Sequence, residues 1–99
     1  MPTENLDAVR QHAVDLTRDE PRSAHEELGG FPSAARALDK CRATLLGTNG
    51  DYEFNCPLDQ RFFASSGIDA EEFRAFVATG ADDEAVGKWV HEHAKTSGS

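Results

Sequence analysis

The sequence predicts an all-α protein, a compact bundle of about five short helices with one extended or turn segment at 48–57. Three observations lead there. Apolar residues recur at spacings of three and four in separate stretches, Gly47, Gly67 and Gly80 fall where such stretches end, and only Tyr52-Glu53-Phe54-Asn55-Cys56 alternates as a strand does. A chain of 99 residues holds one hydrophobic core, and at this size folding buries only about two thirds of the surface the unfolded chain exposes. The organisation expected is an N-terminal helix over 1–17 as an extension, a single helical domain over 18–94 and a disordered tail over 95–99.

The first helix is expected over Glu4 to Thr17, where Leu6, Val9, Ala13 and Leu16 make a thin apolar stripe and Thr3 is available as N-cap. Arg18 to Phe31 carries Pro21 and the Gly29-Gly30 pair, with Pro32 close behind, and reads as a connector. Ser33 is placed to cap a second helix whose Ala34, Leu38, Cys41 and Leu45 share one face, widened by Ala37 and Leu46. Its other side, Arg36, Asp39, Lys40 and Arg42, is expected to be the polar exterior, and Gly47 stops it.

Asn49-Gly50 is a strong turn pair, and the alternating run after it reads as a short extended segment without a clear partner. Leu58 to Ser65 then forms a helix of one or two turns, with Phe62 and Phe63 inward and Gly67 at its end. Asp69-Ala70-Glu71-Glu72 has the form of a capping box ahead of Phe73, Phe76 and Val77. Asp82 opens the last helix, where Val86, Trp89, Val90 and His93 repeat at helical spacing.

Composition excludes several roles. With 38 % hydrophobic and 28 % charged residues the chain is expected to fold. A formal charge of -8, from 18 acidic against 10 basic residues, repels phosphate backbones, so nucleic acid is not an expected partner. No apolar run approaches the roughly 20 residues of a membrane span. The opening MPTENLDAVR lacks a basic segment followed by an apolar one, so no membrane association is expected and the protein is read as cytoplasmic. Cys41 and Cys56 are then two thiols, although a bridge between them stays geometrically open.

Several motifs resemble a bacterial family described only as a domain of unknown function (domain of unknown function 5069). They are Asp39-Lys40 with Arg42 and Ala43, Gly47-Thr48, Gly50, Tyr52, Asn55-Cys56-Pro57-Leu58-Asp59, Arg61-Phe62 and Gly67-Ile68-Asp69. Upstream, Pro21-Arg22-Ser23 and Leu28-Gly29-Gly30 are similar too, so the likeness covers about four fifths of the chain. The resemblance implies a compact helical fold and no reaction. Phe31-Pro32-Ser33-Ala34 departs from the larger apolar pair such sequences often carry after the double glycine.

The segment Asn55 to Phe63 gathers a cysteine, two carboxamides, an aspartate and an arginine, and is the candidate site. Cys56 precedes a helix start with Arg61 one turn away, a setting that favours a thiolate, but its alternation with Tyr52 and Phe54 suits a small buried filler better. Asp59 stands where an N-cap belongs and Arg61 can pair with Asp39 or Asp51; both also suit an acid and a cation lining a pocket. Tyr52, Asn55 and Asp39 complete the candidate ligand-binding set. Cys41 falls on the apolar stripe and reads as core. His91 and His93 are two apart on a helix and make poor co-ligands, so neither a metal nor a cofactor is expected.

Two functions follow from these residues. The first is a module that binds a small polar ligand or a partner protein in a cleft around the Asn55–Arg61 loop, with Phe31, Tyr52, Phe62 and Trp89 as walls. The alternative is a small cysteine-dependent enzyme, of hydrolase, lyase or isomerase type, that uses Cys56 with Tyr52, Asp59 and Arg61. A homodimer is compatible with both, because the thin stripe of the first helix can cover a neighbouring subunit.

Overall fold

A computed structural model describes residues 4–94, which form five helices and one short hairpin. The expected N-cap at Thr3 and the tail at 95–99 lie outside the described residues. Helix α1 spans Leu6–His12, with the Asn5 side chain accepting from the Ala8 amide at 3.2 Å. It is shorter than the stripe suggests. At Ala13 the backbone turns extended, the Asp15 carboxylate takes both the amide and the hydroxyl of Thr17, and the Leu16 amide donates to the Thr48 carbonyl at 2.9 Å. A side chain that bonds its own local backbone competes with the helical ladder, which is why the helix stops there. Val9 and Leu16 are still buried, and α1 lies against the second helix of its own chain.

The connector contains the only ladder among the described residues. Strands β1 (Glu27–Leu28) and β2 (Phe31–Pro32) pair antiparallel, with Glu27 opposite Pro32 and Leu28 opposite Phe31. Gly29 and Gly30 both have positive φ, 64° and 89°, as a two-residue turn of this hand requires. The hairpin therefore forms at the double glycine, and 48–56 is a run of turns without a strand, with Pro57 already helical.

Helix α2 (Ala34–Leu46) begins after Ser33 and ends at Gly47, whose φ of 75° is left-handed. Ser33 is itself left-handed, and its hydroxyl donates to the Ala24 carbonyl at 3.1 Å instead of capping the helix. Helix α3 runs Pro57–Ser66, nearly three turns, with Cys56 at the N-cap, Pro57 in the first turn and Gly67 at the C-cap. Helices α4 (Ala70–Val77) and α5 (Asp83–His93) open on Asp69 and Asp82, whose side chains accept from the Glu72 and Ala85 amides.

One apolar cluster joins these elements through Ala34, Ala37, Leu38, Cys41, Phe62, Phe63, Phe73, Val77, Val86 and Val90. Phe54 stacks on Phe73 with ring centroids 6.1 Å apart and meets Phe63 edge-on at 5.8 Å, which pins the turn segment to the core. Helix α2 is the centre. Against the expectation of a solvated face, Asp39, Lys40 and Arg42 are each 2 % exposed, because the connector, α3 and α5 cover them.

Candidate functional site

Three buried charges on one helix require partners, since an isolated charge removed from water costs several kcal/mol. Asp39 receives the Arg22 backbone amide at 2.8 Å and the Arg22 guanidinium through Nε at 3.1 Å and Nη2 at 2.9 Å. Arg22 reaches on to Asp83 with Nη1 at 2.7 Å, and Arg42 donates to the same carboxylate at 2.7 Å and to the Ala81 carbonyl at 2.9 Å. Partial burial opposes the charge on Asp83, but the hydrogen bonds from Arg42 and Arg22 outweigh it and hold its carboxyl below the ordinary 3.8. This cluster ties the connector, α2 and α5 together.

The second cluster is at the start of α3. Lys40 Nζ lies 3.0 Å from Asp59 Oδ2 and 2.9 Å from Cys56 Sγ. Asp59 is fully buried and is the third residue of α3, so it is not the N-cap expected of it. Its Oδ2 instead accepts the Asn55 amide at 2.9 Å, reaching back across the helix start, while Asn55 holds φ at 64°. Asp59 Oδ1 is buried and has no hydrogen-bond partner among the described residues.

Cys56 is partly exposed, and Cys41 is buried with its thiol free. Partial burial works against ionisation of Cys56 and so does the Asp59 carboxylate. The Lys40 hydrogen bond and the Asp59 and Leu58 amides at the helix start win, leaving this thiol below its usual value of 9.0. Neither amide closes to a formed hydrogen bond with sulfur, so Lys40 is the principal cause. Burial pushes the Cys41 thiol up to about 12.

The other residues expected at the site are distributed around it. Tyr52 lies under the Arg36 guanidinium, 5.7 Å from ring centroid to carbon. Arg61 is exposed, forms no ion pair among the described residues, and faces a hollow with Phe31, Ser33, Leu58, Phe62 and Ser65. Asp39 belongs to the Arg22 cluster. Trp89 stacks between Phe76 and His93 on the α4 and α5 side, centroids 5.2 and 4.2 Å away. Of the four aromatic walls, only Phe31 and Phe62 meet, edge-on at 6.0 Å.

Sequence reasoning overlooked Lys40, Arg22, Arg42 and Asp83 as site builders. A signal was present for three of them: Arg22, Lys40 and Arg42 stand in the same motifs that carry the family resemblance, as do Asp39, Cys56 and Asp59.

The fold and its two clusters define a small helical domain built around a central helix whose polar side is enclosed. The chain belongs to the family described as Domain of unknown function (DUF5069), whose model matches residues 18–99. No curated protein shows significant similarity to the sequence.

Proposed function

We propose that this domain binds a small ligand bearing an anionic group on an apolar body, in the hollow beside the Asn55–Arg61 segment. The hollow measures about 240 Å³ and opens between β2 and α3. Phe31, Pro32, Leu58 and Phe62 give it an apolar lining, which Ser33 and Ser65 complete. The observation that carries the reading is Arg61, an exposed residue that lines the hollow and has no carboxylate partner among the described residues. A planar guanidinium matches a carboxylate in a bidentate fork, and an aromatic wall beneath it suits the rest of such a molecule. An exposed arginine is often only a solvated charge, and the hollow is what separates this one from that reading.

The cysteine-dependent enzyme would need Tyr52 and Arg61 beside the thiol, and these side chains face Arg36 and the hollow instead. The binding reading is tested by following backbone amides by NMR while benzoate, benzyl alcohol and benzylamine are added in turn. Shifts at Phe31, Leu58, Arg61 and Ser65 with benzoate alone, lost in Arg61→Gln, are the expected result. Equal responses to the three compounds, or none at millimolar concentration, overturn it.

A further inference from the structure

We propose that Cys56 is a site of oxidation by peroxide, with the Lys40 ammonium as the proton donor to the departing oxygen and Asp59 as the residue that positions Lys40. Lys40 Nζ bridges the sulfur at 2.9 Å and the carboxylate at 3.0 Å, and both Lys40 and Asp59 are sealed from solvent while Cys56 is not. The bland alternative is a lysine that only neutralises Asp59 beside a cysteine that only fills space. That alternative leaves two facts unexplained. A filler cysteine belongs in the core, where Cys41 is, and a lysine serving Asp59 alone has no need to bring its ammonium to within hydrogen-bond distance of sulfur. The unpartnered Oδ1 on the same buried carboxylate adds an acceptor suited to a small O–H donor such as hydrogen peroxide.

The chemistry balances. The thiolate sulfur attacks one oxygen of hydrogen peroxide, the S–O bond forms as the O–O bond breaks, and the other oxygen departs as hydroxide. Sulfur is oxidised to the sulfenic acid and peroxide is reduced. The hydroxide takes one proton from Lys40 Nζ and leaves as water, so an ion pair and peroxide become a neutral amine, a sulfenic acid and water. Thiolate character and access decide which cysteine follows this path, and both favour Cys56 over Cys41. Oxidation would neutralise the sulfur and Lys40 together, and Asp59 would regain its ion-pair partner only when Lys40 takes up a proton again. The inference does not rest on the Arg61 hollow.

The test treats the full chain with hydrogen peroxide in the presence of a dimedone-type trap and locates the adduct by peptide mass spectrometry. The expected result is labelling of Cys56 and not Cys41, faster in the folded protein than in the same chain in denaturant. The double variant Lys40→Met with Asp59→Asn, which removes both charges together, should react about a hundredfold more slowly. Circular dichroism establishes whether that variant folds. If it does not, the pH profile of wild-type Cys56 alkylation decides, with a midpoint below about 8.5 expected. The proposal is overturned if folded Cys56 reacts no faster than in denaturant, if the folded double variant keeps the wild-type rate, or if the midpoint lies at or above that of a free thiol.

Discussion

Arg22 grips Asp39 with three nitrogens, its own backbone amide at 2.8 Å and two guanidinium nitrogens at 3.1 and 2.9 Å, across 17 residues of sequence. Asp39 is 2 % exposed, so removing Arg22 leaves a carboxylate without its cation in the interior, whereas removing Asp39 leaves a partly exposed Arg22 that still pairs with Asp83. Arg22→Ala should cost about 3–5 kcal/mol in urea unfolding, and Asp39→Ala less. The paired change Arg22→Met with Asp39→Leu should recover most of that loss, and a double-mutant cycle measures the coupling.

Asp83 imposes an acid limit on stability. Its carboxyl is lower in the folded chain than the 3.8 of an unperturbed group, because Arg42 and Arg22 donate to it against the opposing effect of partial burial. A carboxylate shifted down stabilises fully above its unfolded value and loses that contribution as pH falls toward the folded one. Urea midpoints should therefore decline as pH drops below about 3.8, and Asp83→Asn should flatten this part of the profile. A slope unchanged by the substitution contradicts the assignment.

The double glycine is two different positions. A Cβ on Gly29 would stand 2.6 Å from the Gly87 carbonyl oxygen and 2.8 Å from Val90 Cβ, whereas one on Gly30 meets nothing within 4 Å. Gly30→Ala should cost about 1–2 kcal/mol, the expense of a left-handed alanine. Gly29→Ala should cost about 1–3 kcal/mol more, since α5 has to move. Thermal melts of the two variants side by side give the difference, and equal losses would show that the hairpin does not bear on α5 as described.

Cys41 should report global unfolding. It is 1 % exposed, and burial pushes its thiol up to about 12. In native buffer its alkylation should proceed only through unfolded molecules, so its rate should rise with urea in step with the loss of helical circular dichroism. Fast native labelling of Cys41 would mean that α2 opens locally.

The helix count and the stops at Gly47 and Gly67 were readable because they depend on neighbours in sequence. Gly47 and Gly67 end helices in left-handed geometry, and Asp69 and Asp82 begin them, through groups within a few residues. The same locality explains the misplacement of Asp59, since a carboxylate near a helix start serves as N-cap or, three residues later, reaches back, and only the position of Pro57 within the helix separates the two.

The buried charges were not readable for a related reason. A helical wheel assigns Asp39 and Lys40 to water because it knows only one helix, and Arg42, one turn on from Leu38, was set with them by its charge alone, while burial is decided by what lies across from the helix. Their partners are Arg22, Asp59 and Asp83, which are 17, 19 and 41 residues away along the chain. Tyr52 and Cys56 share a face on paper, but Asn55 in left-handed backbone breaks the alternation and sends the sulfur to Lys40 while Tyr52 goes to Arg36.

Helix α2 hides Asp39, Lys40 and Arg42 from water, and this constrains descent as well as folding. Positions 22 and 39, 40 and 59, and 42 and 83 are matched couples, so sequences in this family should substitute them two at a time. Transplanted without its surroundings, the same thirteen residues would bring three orphaned ions into any host scaffold.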